Sequence, residues 1–478
     1  MTVPENVSFS AQSLDRFGPL LGDSRFQEIE AAAALARTSF AGRAIWHISS
    51  TARGGGVAEL LGALLPYVRG AGIDTRWMVI RGDSEFFRIT KRVHNHLHDD
   101  PGDGGRLGEA ERRNYEAALE QNANVLVQDL REGDIAYLHD PQTAGLAPTL
   151  KKLGLKVIWR CHIGVDEPGE LARVAWDFLR PYAEVADALV FSRKEYAWEG
   201  LDPSKIWLMP PAIDPFTAKN QELSREAVTS ILTTVGLSPG GGNAAASCFL
   251  RADGTSGRVE RHGHILQTEP LPLDAPLVAQ VSRWDALKDP RGLLTCFERY
   301  LGGSKAHLAF VAPSSEAVSD DPEGSAVYEA VTEIWHEMPE EIRMRVHLVS
   351  LPMDDLEENG AMVNAVQRRA DVLVQKSLAE GFGLTVTEGM WKSKPVVGSC
   401  VGGIKDQIID GQSGILIDDP RDLAGFGQAI QSLLEDSDRA ATIGAAAHRR
   451  VLDRYLGINR LTEYVALITS LLTDGGSD

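Results

Sequence analysis

The 478-residue sequence has only four cysteines, Cys161, Cys248, Cys296 and Cys400. They lie far apart and form no CxxC pair, which argues against a zinc site or a disulfide framework. Nowhere do about 18 apolar residues run together, so no membrane span and no membrane partner are expected. Residues 1–12 have neither a basic start nor an apolar stretch, so no secretory signal is expected and a cytoplasmic location is the plain reading. Basic residues are in the minority: 48 Lys and Arg against 67 Asp and Glu leave a formal net charge of −19. That deficit argues against a nucleic-acid partner, because phosphate backbones need a basic face. Phosphorylated small molecules are not excluded, since a few cations and amide groups suffice to hold them. No short-period repeat is visible, which excludes a solenoid.

What is present fits a globular α/β protein, with 43% hydrophobic and 24% charged residues. The length suits two α/β domains of roughly 200 residues each. Short apolar runs alternate with longer amphipathic stretches, the rhythm of parallel strands and crossover helices. In the first half the runs are 44–48, 75–80, 135–139, 156–161, 188–191 and 206–209. The second half repeats them at 276–281, 307–311, 346–349, 372–375, 395–398 and 414–417. Pro210, Pro211 and Pro215 break the pattern in between and read as a hinge. The expected domains are 1–215 and 216–454, with 455–478 as a final helix packing back, and 237–276 reads as a loop-like insertion.

Three constellations carry chemistry. Gly54, Gly55 and Gly56 follow the first strand and open a helical stretch, where backbone amides can approach an anion. A tight strand-to-helix turn is the plainer alternative, because the full dinucleotide-binding pattern is absent. Arg283 and Lys288, in SRWDALKD at 282–289, follow the first strand of the second half, where two cations can clamp a phosphate. A solvated basic pair is the alternative there. The third is EGFGLTVTE at 380–388: Gly381, Phe382, Gly383 and Leu384 should form a loop at a helix N-terminus, with Glu380 in the loop and Glu388 one turn inside. Two carboxylates invite a glycoside-hydrolase reading, but the glycine loop and the partner cations suit an activated sugar better. Phe382 and Trp391 read as packing residues that fix the loop. His94, His96 and His98 alternate like ligands on a strand, but lack a suitably spaced acidic or thiol partner, so a polar loop is expected there.

The 380–388 stretch resembles the glutamate-to-glutamate motif of retaining GT-B glycosyltransferases of family 4. FFRITKRVHN at 86–95, HDPQ at 139–142, WRCH at 159–162, PPAIDP at 210–215 and GFGLTVTEGMW at 381–391 resemble its trehalose-forming synthases and retaining trehalose phosphorylases. The resemblance implies two doubly wound Rossmann-like domains facing across a deep interdomain cleft. It implies that Glu380 contacts the transferred glucose, Glu388 a nucleotide ribose, and Arg283 and Lys288 the leaving phosphate, while Gly54–Gly56 approach the phosphates from the other domain. His162 would face the reacting sugar, and Asn95, His139, Asp140 and Gln142 would line the acceptor side.

The implied reaction joins a nucleoside-diphosphate glucose to free glucose, reversibly, giving trehalose with retention at the anomeric carbon. It runs by a front-side path in which the leaving phosphate takes the acceptor's proton. No cofactor and no metal are expected. A trehalose phosphorylase, using inorganic phosphate, fits the same residues, and a catalytically idle sugar-binding regulator is the reading from another class. The nucleotide base and the oligomeric state stay open, a homodimer being compatible.

Overall fold

A computed structural model describes residues 4–52, 56–240, 246–314 and 322–473. The chain divides into two compact units, Met1–Ala212 with Gly457–Asp478, and Ile213–Leu456. The first unit is built on β1 (Glu5–Asn6), β2 (Ile45–Ser49), β3 (Thr75–Val79), β4 (Ile135–His139), β5 (Lys156–Cys161), β6 (Ala188–Phe191) and β7 (Ile206–Leu208). They form one sheet in the order β1-β3-β2-β4-β5-β6-β7, parallel except for the short β1 edge. β2 and β4 are buried along their whole length, because helices cover both faces of a parallel sheet.

The second unit starts with the helix Arg225–Val235, followed by a hairpin of β8 (Cys248–Leu250) and β9 (Ser256–Arg258). Its main strands are β10 (His264–Leu266), β11 (Leu277–Val281), β12 (His307–Pro313), β13 (Val346–Leu351), β14 (Val372–Gln375), β15 (Val396–Ser399) and β16 (Ile415–Ile417). The order is β10-β13-β12-β11-β14-β15-β16, with β10 alone antiparallel.

Strand order decides where each unit can hold a ligand. In the first sheet the chain runs from β2 to its neighbour β3, then crosses back to β4 on the other side of β2. In the second it winds outward from β11 through β12 and β13, then returns to β14 beside β11. At such reversals the loops beyond the strand ends diverge and leave a crevice. The β2/β4 and β11/β14 ends are therefore where each unit should carry its chemistry.

Two expectations need correction. Residues 237–276 are not simply a loop: Gly241, Gly242 and the rest of 241–245 lie outside the described residues, but β8, β9 and β10 follow, and β10 extends the main sheet along β13. Strands of three residues are too short to show a period of two. His94, His96 and His98 are neither on a strand nor in a loop, but on and just after the helix Ser84–Leu97, capped by Asp83, which accepts from Phe86 N at 2.8 Å. The apolar spacing of Phe86, Ile89, Val93 and Leu97 makes the helix. Residues two apart on a helix face different ways: His96 is buried, while His94 and His98 touch each other edge to face. Among the described residues no helix is long and apolar enough to cross a membrane.

The last helix, Asn459–Thr473, returns to the first unit and packs on Asp23–Ser39. Its buried stripe is Leu461, Tyr464, Val465, Leu467 and Ile468.

Candidate functional site

In the second unit the strand reversal brings together two segments expected to act on one ligand. β11 leads through a single 3-10 turn, Ala286–Lys288, and β14 leads to the Glu380 loop. Lys288 Nζ donates to Glu380 Oε2 at 2.7 Å, and Gln375 Nε2 (3.4 Å) and Ser377 Oγ (3.3 Å) converge on the same oxygen. The pair is largely shielded, with side-chain exposures of 15% and 11%. Gln280, fully buried on β11, ties the two loops: its amide donates to Lys288 O at 2.7 Å and its oxygen accepts from Lys376 N at 3.0 Å. Buried Lys376 in turn pairs with Asp289, which caps the helix Pro290–Cys296 from a left-handed conformation (φ 46°). Arg283 differs: its side chain is exposed and pairs with Asp285 at 3.1 Å.

The glycine loop ends at Gly383 (φ 84°), after which Leu384–Trp391 is helical. Buried Gln407 pins the turn by donating to the carbonyls of Phe382 and, at 3.2 Å, Gly383. Gly403 lies so close that a Cβ there would stand 2.5 Å from Phe382 Cα. Phe382 is buried against Tyr455, and Trp391 donates from its indole to Asn220 O at 3.0 Å; both pack as expected. Glu388 has different partners from Glu380. Its side chain is 2% exposed, pairs with Lys219 at 3.3 Å and accepts from Gln367 at 3.2 Å. Neighbouring Lys392, pushed down to about 7 by burial despite Glu388, donates to Asn220 Oδ1 at 3.1 Å.

In the first unit, His139 is the last residue of β4, Asp140 and Gln142 follow it, and His162 follows the end of β5. Asp140 has φ 62°, a conformation a non-glycine residue adopts only when its surroundings enforce it. Here they do: Asp140 N donates to Arg160 O at 2.8 Å, Asp140 O accepts from Trp159 Nε1 at 3.0 Å, and the carboxylate accepts from His162 N at 2.8 Å. Burial pushes the Asp140 carboxyl up to about 7, against the opposing pull of His162 N and the Arg160 guanidinium. Among the described residues, three polar atoms in this group are buried without a hydrogen-bond partner: His139 Nδ1, Gln142 Oε1 and His162 Nε2. Leaving such atoms unpaired costs about 1–3 kcal/mol each, so a hydrogen-bonding molecule, water or ligand, would be stabilised here.

The remaining expected residues lie elsewhere. Asn95 is on the last turn of Ser84–Leu97, its amide against Gly102, and that helix packs on the turn Pro141–Ala144. Gly56 is the exposed first residue of the helix Gly56–Gly70, while Gly54 and Gly55 lie outside the described residues. Sequence reasoning missed Gln280, Gln375, Lys376, Asp289 and Gln407, which hold the two loops beyond β11 and β14. The available signal was a polar residue inside or ending an apolar run, as in LVAQV (277–281) and VLVQ (372–375).

Comparison with known proteins agrees with this architecture. The family model described as trehalose synthase, N-terminal domain, matches residues 47–198, and that described as glycosyl transferases group 1 matches 357–450. The chain is 33% identical over 459 residues to a trehalose synthase of Thermococcus litoralis, covering 96% of this chain and 97% of that one. With a trehalose synthase of Rubrobacter xylanophilus it shares 35% over 434 residues, 90% and 91% of the two chains. A trehalose phosphorylase of Grifola frondosa is 25% identical over 449 residues, 90% of this chain but 57% of that one. Among solved structures, an alpha,alpha-trehalose-phosphate synthase (UDP-forming) from Burkholderia vietnamiensis matches with a TM-score of 0.65 at 16% identity, covering 89% of this chain and 97% of that one. That last likeness shows the GT-B fold. Similarity above 30% along nearly the whole chain shows the family: the chain belongs to the trehalose synthase family of GT-B glycosyltransferases.

Proposed function

We propose that the protein transfers a glucosyl group from a nucleoside-diphosphate glucose to free glucose, forming trehalose reversibly and with retention. The observation that carries the donor half is the meeting of Lys288, Glu380 and the Gly381–Gly383 turn at the β11/β14 reversal. Glu380 accepts from hydroxyls of the transferred glucose. Lys288 and Arg283 stabilise the charge that grows on the departing phosphate, together with amides at the start of Leu384–Trp391. Glu388 takes the ribose hydroxyls. On the first unit, Asp140, Gln142, His139 and His162 hold sugar hydroxyls, each of which donates one bond and accepts another, as the orphaned atoms require. Asn95 borders that group.

In the reaction the bond from the anomeric carbon to the phosphate oxygen breaks. A bond from the same carbon to the acceptor oxygen forms on the same face, and the acceptor's proton passes to the leaving phosphate. No protein nucleophile enters. We assign the electrostatic task to the two cations and the helix amides rather than to a metal or cofactor.

Burial of Glu388 between Lys219 and Gln367 favours a second reading, a trehalose phosphorylase, which has no ribose to bind. One assay panel separates them: glucose with several nucleotide-glucose donors, trehalose with nucleoside diphosphates, and trehalose with inorganic phosphate. Nucleotide-dependent formation and breakdown of trehalose is the expected result. Glucose 1-phosphate formed from trehalose and phosphate, with no nucleotide-dependent turnover, would give the phosphorylase. Sugar binding without turnover in any arm would give the regulator.

A further inference from the structure

Beneath the acceptor-side group of the first unit runs a hydrogen-bonded chain that the reaction as described does not use. Tyr464, on the last helix, meets His47 Nε2 through its hydroxyl at 2.9 Å, and His47 Nδ1 meets His139 Nε2 at 3.1 Å. Neighbouring ring planes lie within 25° of each other, with centroids 5.4 Å apart for His47 and His139, 5.8 Å for His47 and Tyr464, and 5.8 Å for His139 and His162. All three members of the chain are at most 2% exposed.

The directions of these hydrogen bonds follow from counting protons. Burial lowers His47 to about 3 and His139 well below the ordinary range, so both rings are neutral and each carries one N–H. Burial raises the Tyr464 phenol, so it keeps its proton. Among the described residues His47 Nε2 is the hydroxyl's one hydrogen-bond partner, so the O–H donates there. His47 then carries its proton on Nδ1 and donates it to His139 Nε2. The remaining proton of His139 must sit on Nδ1, the atom that is buried and unpartnered at the end of β4. A hydroxyl donating towards His47 has thus selected a donor two rings away.

We propose that Tyr464 is a positioning residue that, through His47, holds His139 as an Nδ1–H donor for a hydroxyl oxygen of the bound sugar. Gln142 Oε1, equally unpartnered, supplies an acceptor for hydroxyl protons in the same group. The identity of the recipient rests on the acceptor-sugar reading above; the tautomer does not.

The test uses the full chain with 15N-labelled histidine, whose ring shifts report which nitrogen is protonated. His47 and His139 are identified among the twelve histidines by His47→Asn and His139→Asn variants. Both rings are expected as the Nδ1–H form without ligand, and glucose is expected to shift the His139 signals. Tyr464→Phe keeps the aromatic ring and removes the O–H. It should mix the tautomers and raise the acceptor KM roughly 3- to 10-fold, the loss of one hydrogen bond, with the donor KM little changed. Added to His139→Asn, it should raise KM no further. His139 protonated on Nε2, or tautomers unmoved by Tyr464→Phe, would overturn the relay. The expected tautomers with no response to any sugar would instead overturn the sugar as recipient, and with it the acceptor reading of this unit.

Discussion

Lys288 and Arg283 were expected to do the same job, yet they stand in different surroundings, and that difference makes them separable by experiment. Lys288 is shielded and holds Glu380, whereas Arg283 is exposed and rests on Asp285. Each Ala substitution should lower kcat about 100-fold, the usual cost of one donor to a transition-state charge. Arg283→Ala should leave the unfolding temperature unchanged, and Lys288→Ala should lower it by removing the shielded Lys288–Glu380 ion pair. Steady-state kinetics beside thermal unfolding checks this, and unchanged turnover in both would remove the clamp. Asp140 makes a prediction of opposite character. Its folded-state value of about 7 lies above the ordinary ~3.9, so the unfolded chain ionises first as pH rises. Stability from this group is therefore lost between about pH 4 and 7 and stays flat above. Asp140→Asn does not titrate, so its unfolding temperature should gain on the parent's across that window; a constant difference would count against a raised carboxyl. Lys288 and Glu380 were legible because a glycine loop and a strand-end cation are local patterns. Gln280 and Gln407 were not, since a lone amide carries no spacing, and His47 meets Tyr464 across 417 positions.

The glycine loop behaves as one element with the turn that covers it. Gly403 has ordinary backbone angles (φ −67°), yet a Cβ there would press 2.5 Å from Phe382 Cα and 2.8 Å from Phe382 O. Backbone cannot give way cheaply, so Gly403→Ala should displace the Gly381–Gly383 turn and cost about 1–3 kcal/mol of stability. Calorimetric titration with a nucleoside diphosphate should show weakened binding. Gly411→Ala is the control: φ is 69° with nothing within 4 Å, so it should cost only about 1 kcal/mol of backbone strain and leave binding intact. Equal binding by the two variants would detach the loop from the donor. At this scale the parallel strands were easy to read, because burial on both faces writes an unbroken apolar run such as HLAFVA at 307–312. The hairpin β8–β9 and the edge β10 were hidden by brevity. The histidine-rich stretch misled because its alternate residues caught the eye before the four-residue spacing of Ile89, Val93 and Leu97 did.

Across the whole molecule, the first unit is assembled from both ends of the chain, while the second is one uninterrupted segment. That segment's ends are fastened together, Ile213 N donating to Tyr455 O at 2.8 Å and Ile213 bridging Leu456. Deleting residues 457–478 should therefore strip the buried stripe around Tyr464 from the first unit and spare the second. Scanning calorimetry should lose or lower one transition and keep the other; two intact transitions would show the last helix to be dispensable. The same discontinuity has a consequence during synthesis. A ribosome releases residues 213–456 as a complete folding unit, while the 212 residues made before it still lack their final helix. At translation rates of about 5–20 residues per second, that delay lasts on the order of tens of seconds. Through that wait the earlier-born unit has an uncovered sheet face, and for its last few seconds, roughly the time to make residues 457–478, the later-born unit can already be native, so nascent-chain chaperones should be found on the N-terminal portion until the last helix emerges.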